Sequence, residues 1–330
     1  MFKKVLVPLD RSPLAEHAID RAIAIATASQ AALDFVLVHK TLSYTSIGFD
    51  GAEAQAVERQ YLESIVADVS ARTSLSVTHA VMTGDIVDAI CRRIEDVNAD
   101  LVVMASHGRT GASRAWFGSV SDGVIRQSLV PVFVLRTTDG APTQATTPSR
   151  LLVLLDGSAH AAEVLPAAVD LRACLDANLT LLRVIEPIAA TAPAGDSRFD
   201  YVPPIVDADA TWRLADEATA QLAETARRLR DATDTDVNFE VVVGASASTA
   251  ILDFIGAHDI DGIAMSTHGR GLSRLLVGSV ADDVLRGSGL PMLVYRPFAR
   301  DGDAAPAQGE DVVAHMRQSP TASRSVATVE

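Results

Sequence analysis

The chain has 330 residues, more than one domain usually holds, so two domains of about 150 residues each are expected. Hydrophobic residues make up 48% and aromatics only 5%, which suits Ala/Val/Leu-rich helices packed on a parallel sheet. A formal charge of −14, with no long Lys/Arg run to offset it, argues against non-specific nucleic-acid binding, which relies on a positive surface.

Cys91 and Cys174 sit inside helical patterns without metal-ligand spacing and read as small core residues in a reducing compartment. The apolar run of MFKKVLVPLD stops at Leu9, too short for a signal segment. No stretch approaches the roughly 18 apolar residues of a membrane span. A soluble, cytoplasmic protein is expected.

In chain order, Val5–Leu9 is a short apolar strand closed by Asp10, and Ser12-Pro13 opens a helix to about Gln30. Leu33–Val38 is the second strand. A helix from about Ala52 to Ala71 leads to a third strand, Leu75–Met82, and Asp85–Glu95 is helical. Strand four, Leu101–Met104, ends in Ser106-His107-Gly108-Arg109. After nine intervening residues Gly108 is followed by Gly118-Ser119 and a helix to Ser128, then strand five, Val132–Leu135. Strands alternating with helices imply a parallel sheet with right-handed crossovers. Residues 138–149 lack hydrophobic period and read as a linker.

The pattern then restarts. VLVPLDRS at Val5–Ser12 is echoed by LLVLLDGS at Leu151–Ser158, an offset of 146 that also relates Val38 to Val184. From Gly84 and Gly244 onward the offset is 160, apart from a local 161 at His107 and His268, so about 14 residues are inserted in the second copy, placed in the Pro/Ala-rich Pro187–Pro204. Strand five recurs as Leu290–Tyr295. The polar tail 298–330 is expected to be largely disordered, with at most a short helix around Asp311–Arg317.

In each copy an aspartate ends strand one, and a glycine turn with a Gly-Ser helix start follows strand four. A glycine after strand four lets backbone approach an oxyanion, and the helix start offers N–H groups and a hydroxyl to phosphate. Asp10 or Asp156 can accept from a ribose or base edge. Ser119-x-x-Asp122 and Ser279-x-x-Asp282 equally fit ordinary capping boxes, and the aspartates could be plain polar strand ends. His107 and His268 lack a partner acid or nucleophile and read as turn residues. Arg109, Arg114, Arg270 and Arg274 fit either phosphate contacts or solvated loops.

Together VPLDRS, Gly84-Asp85, SHGRTG, FGSVSDGVIRQS and PVFVLR, with VLLDGS, STHGRG, VGSVADDVLR and PMLVYR in the second copy, resemble the universal stress protein family. The resemblance covers 1–137 and 150–297 and implies two tandem doubly wound α/β domains. Each would hold a five-stranded parallel sheet in the order 3-2-1-4-5 with helices on both faces. It also implies an adenine-nucleotide site, since the ATP-binding branch carries G-x-x-G, nine residues, then G-[ST].

Carried over position by position, Pro8, Leu9, Asp10 and Val38 would face the adenosine. Met104, Ala105, Gly108, Arg109, Gly118, Ser119, Val120 and Ser121 would complete the cleft and hold the phosphates. Ala105 replaces the motif's leading glycine. In the second copy the matching residues are Asp156, Val184, Ser266, Gly269, Gly278, Ser279 and Val280. There only eight residues separate the glycines, and Ala281 stands where Ser121 does, so the first site is expected to bind more tightly.

The implied ligand is ATP, or AMP or ADP, with Mg2+ as the cation that would bridge the phosphates. No positioned base is visible, so any hydrolysis should be slow. Strand five is implied to pair with another such domain, within the chain or across a dimer. The alternative function is a structural or interaction module with degenerate sites. A third reading is an enzyme of a related nucleotide-hydrolase or transferase class.

Overall fold

The computed structural model describes residues 1–39, 51–107, 118–138, 141–142, 147–190, 205–267 and 278–297. The first half runs β1 (Lys4–Leu9), α1 (Pro13–Ser29), β2 (Ala32–His39), α2 (Gly51–Arg72), β3 (Val77–Thr83), α3 (Ile86–Val97), β4 (Leu101–His107), α4 (Ser119–Gln127) and β5 (Val132–Thr138). The second runs β6 (Arg150–Leu154), α5 (Ala159–Ala162), α6 (Leu165–Leu175), β7 (Asn178–Ile185), α7 (Ala208–Thr233), β8 (Val237–Val243), α8 (Ala247–Ala257), β9 (Gly262–Ser266), α9 (Ser279–Gly287) and β10 (Met292–Tyr295).

One sheet carries all ten strands in the order β8-β7-β6-β9-β10-β5-β4-β1-β2-β3. Each half is therefore a parallel 3-2-1-4-5 sheet. The halves meet where β10 pairs antiparallel with β5, through Met292↔Val134, Leu293↔Phe133 and Val294↔Val132. The strand-five edges thus pair with each other within the chain.

The alternation of each strand divides the core into two layers. Val5, Val7 and Leu9 of β1 join the layer that includes Leu62 of α2 and Leu171 of α6. Leu6 joins the opposite layer with Ile90 of α3, Val124 of α4 and Val284 of α9. Apolar faces at helical spacing fill both sides, as a sheet buried on two faces requires.

Local chemistry sets the helix ends. Ser12 caps α1, its Oγ accepting the Ala15 N–H at 3.1 Å, with Pro13 in the first turn and Gln30 left-handed at the end. Asp85 caps α3 through the N–H groups of Val87 and Asp88, at 3.0 and 3.2 Å.

Three features differ from the sequence expectation. β4 continues through Ser106 and His107, because these two pair with Arg136 and Thr137 of β5. The expected linker begins inside a small hairpin, with Ala141–Pro142 folded antiparallel onto Thr137 and Thr138. The inserted segment begins and ends in a two-stranded ribbon, Ala189–Ala190 with Ile205–Val206, while residues 191–204 lie outside the described residues. The tail from 298, with its expected short helix, also lies outside them.

The two cysteines are free, partly buried thiols. Burial, aided by Asp88 and Glu95 for Cys91 and by Asp170 for Cys174, pushes each thiol up to about 11.

Candidate functional site

The order 3-2-1-4-5 reverses direction between β1 and β4, the place in such sheets where the carboxyl ends open a crevice. β1 pairs with β2 along six residues up to Leu9↔Leu37, so the next step sets Asp10 level with Val38. Its pairing with β4 is much shorter, Val5↔Leu101 and Leu6↔Val102, and then stops. Pro8, which lacks an N–H, stands where the ladder has ended. Continuing that register brings Pro8 level with Met104, Leu9 with Ala105 and Asp10 with Ser106. Leu9 and Met104 bury their side chains in opposite core layers, which leaves their backbone for a ligand.

Asp10 is exposed, and its Oδ1 accepts the Ser12 N–H at 2.9 Å and the Ser12 hydroxyl at 2.5 Å. This local turn holds Arg11 at φ +65°, a left-handed backbone on a residue that rarely adopts it. Strain of this kind concentrates at functional sites.

Across the crevice, Gly118 is the N-cap of α4 with no side-chain cap bond, so the capping-box reading of Ser119-x-x-Asp122 is corrected. Asp122 instead grips Arg126 one turn on, at 2.8 and 2.9 Å, which draws its charge away from the helix start. The Gly118 N–H donates to Ser106 Oγ at 3.2 Å. Among the described residues, no acceptor meets the N–H groups of Ser119, Val120 and Ser121. The Ser121 hydroxyl has no partner among them either, although that residue is 3% exposed. First-turn amides of this kind, at the positive end of the helix dipole, suit an anion. Gly108 and Arg109 lie outside the described residues, as do Arg114 and the His107 side chain.

Sequence reasoning missed three neighbours. Ser106, 1% exposed, anchors the entry to α4. His39, one residue past Val38, pairs through Nδ1 with Glu58 of α2 at 2.9 Å. Tyr61 donates to Glu16 at 2.8 Å, and burial with Glu16 beside it pushes the phenol well above its ordinary range. A histidine ending an apolar strand was the one available signal; the partners are distant in sequence.

The second half repeats the geometry with differences. Asp156 holds Ser158 at 2.8 and 2.6 Å, and the same register sets it level with Val184. Gly157 (φ +84°) replaces Arg11, and the Arg183 guanidinium lies against it: a Cβ there would sit 2.5 Å from Cζ. Arg183 also donates to Gln221 at 2.6 Å. The helix after the aspartate is broken into α5 and α6, and Ser266 Oγ donates to Ala161 O at 3.4 Å.

The Gly278 N–H is taken by the Thr267 carbonyl at 2.9 Å, where the first half uses a hydroxyl. Gly278 is the N-cap without a side-chain bond, so the second capping box is corrected too, and Asp282 pairs with Arg286 at 2.7 Å. Ser279 and Val280 are exposed at the helix start. His268, Gly269, Arg270 and Arg274 lie outside the described residues.

The model of the universal stress protein family matches the chain twice, over residues 1–136 and 148–296. A Staphylococcus aureus (strain USA300) protein named for that family is 26% identical over 165 residues, spanning 45% of this chain and 95% of its own. The crystal structure of a universal stress protein from Archaeoglobus fulgidus aligns with a TM-score of 0.64 at 20% identity, over 89% of this chain and 98% of its own. A Pseudomonas aeruginosa PAO1 protein of unknown function aligns with a TM-score of 0.61 at 18% identity, over 96% of this chain and 95% of its own. These two structures share the fold. The repeated strand, turn and helix pattern and the two family matches lead to one conclusion: the chain belongs to the universal stress protein family.

Proposed function

We propose that the first domain, residues 1–137, binds ATP or a related adenine nucleotide in the crevice between β1 and β4 and acts as a stress-response regulator. In this reading residues 138–149 link it to a second domain, 150–297. The observation that carries it is the convergence of Asp10 and the unpartnered first-turn amides of α4 on one crevice, although more than 100 residues separate them in sequence. Asp10 accepts from the ribose or base, and the Val38 main chain, level with it, meets the adenine edge. The phosphates rest on Gly118 and on the N–H groups of Ser119, Val120 and Ser121, with the Ser121 hydroxyl as a further donor.

In this reading Mg2+ would bridge the phosphates of the bound nucleotide. The chain's residues bind and orient that nucleotide, and any turnover is slow.

A second reading applies to the second domain, which serves as an interaction module. Thr267 takes the Gly278 amide there, Ser266 is bonded to α5, and Ala281 removes a hydroxyl. Losing one hydrogen bond to a charged phosphate weakens binding about 10- to 150-fold.

Calorimetric titration with ATP and GTP tests the proposal on wild type, Asp10→Ala and Gly118→Val. One tight ATP site, lost in Gly118→Val and weakened in Asp10→Ala, is expected. Equal affinity of all three proteins for ATP would overturn the assignment.

A further inference from the structure

The helices that start at the two crevices are held at their other ends by the opposite domain. Arg136, at the end of β5 and 9% exposed, donates through Nη1 to the Leu285 carbonyl in the last turn of α9, at 2.5 Å. Arg296, just past β10, donates in the same way to the Arg126 carbonyl in the last turn of α4. The contacts are reciprocal about the β5·β10 seam, the only strand pairing that joins the two halves among the described residues.

Each guanidinium meets the negative end of a helix dipole and satisfies a terminal carbonyl that has no helical partner. α4 spans nine residues, about 13 Å at 1.5 Å per residue. A rod that short moves as a unit. A shift at its first turn must therefore either drag Arg296 and the end of β10 with it or break that bond. β10 lies between β9 and β5, so a displacement of Arg296 passes into the second domain through that strand, and α4 and α9 also meet across the seam, where Arg126 lies near Asp282 and Arg286 near Asp122.

We propose that these paired arginines couple the two domains, so that nucleotide bound at the N-terminus of α4 orders α9 in the second domain. The inference rests on the proposed nucleotide site, and it assigns that site a readout: the second domain, where the binding features are weakest, reports the occupancy of the first.

Hydrogen–deuterium exchange on the full chain, with and without saturating ATP and alongside calorimetry, tests this. ATP should slow exchange in both α4 and α9, by about fivefold in α9, the lower end of usual coupling. In Gly118→Val both effects should vanish. In Arg136→Met/Arg296→Met the α4 protection should persist while that of α9 is lost. Arg296→Lys, which keeps the charge and one donor, should fall between, and guards against a Met variant that folds poorly.

ATP binding with no change in α9, or α9 protection that survives the double Met change, overturns the coupling and leaves the nucleotide site standing. Protection of α9 that persists in Gly118→Val means direct occupancy of the second domain and also refutes transmission. Absence of any ATP binding by calorimetry removes the site, and the coupling with it.

Discussion

α4 reaches its position against α3 through one glycine. A Cβ built on Gly123 would lie 2.6 Å from Val87 Cγ2 and 3.2 Å from Cγ1, about 1 Å inside ordinary carbon contact for the nearer. Val87 is β-branched and stiff, so it yields little and the helix has to move. Gly123→Ala should therefore cost about 1–3 kcal/mol in overpacking. Alanine's better helix propensity returns about 1 kcal/mol, for a net loss of about 0–2 kcal/mol.

Val87→Ala removes both offending carbons and leaves Cβ at an ordinary 3.5 Å. The double variant should then be more stable than the sum of the single changes by about 1–2 kcal/mol. Urea denaturation gives the cycle. ATP titration of the same four proteins should show about tenfold weaker binding for Gly123→Ala, as the phosphate-facing turn shifts, and recovery in the double variant. Strict additivity within about 0.3 kcal/mol would refute the argument that this contact sets the helix position.

Asp34 is fully buried on β2, held by Arg93 at 2.9 and 2.7 Å and by Thr78 at 2.5 Å. Arg93→Met strands that charge and should cost about 3–5 kcal/mol in urea denaturation, with most of it regained on adding Asp34→Asn; a neutral Arg93→Met would contradict this. With both thiols raised to about 11, labelling of Cys91 and Cys174 at pH 8 should run about 100-fold slower than for an ordinary thiol, and equal rates would contradict their burial. By linkage the native state holds those protons longer than the unfolded chain. Their contribution to stability is therefore complete below about pH 8.5–9 and is lost as pH rises toward 11. A denaturation series from pH 8 to 11 checks the sign.

The duplication and the strand–helix alternation were legible because burial imposes short-range periodicity, and nearly every expected strand and helix core reappears. Boundaries were lost where a neighbour decides them. β4 runs on through Ser106 and His107 because β5 offers partners, which no local pattern records. The capping box failed because Gly118, one residue earlier, takes the cap position, and Asp122 finds Arg126 closer at hand than a backbone amide.

The aspartates at the ends of β1 and β6 were legible as polar punctuation after apolar runs. Their hold on Ser12 and Ser158 is local and could have been read from the two-residue spacing. The arginine contacts across the seam could not be, since Arg296 and Arg126 lie 170 positions apart and meet only through the antiparallel pairing of β5 and β10.

The crevice between β1 and β4 carries the proposed function, and a crystal structure of the chain grown with ATP addresses it directly. It should show the adenosine between Asp10 and Val38, with the phosphates on the backbone amides of Ser119, Val120 and Ser121. A nucleotide bound elsewhere, or a vacant crevice in crystals saturated with ATP, would contradict it.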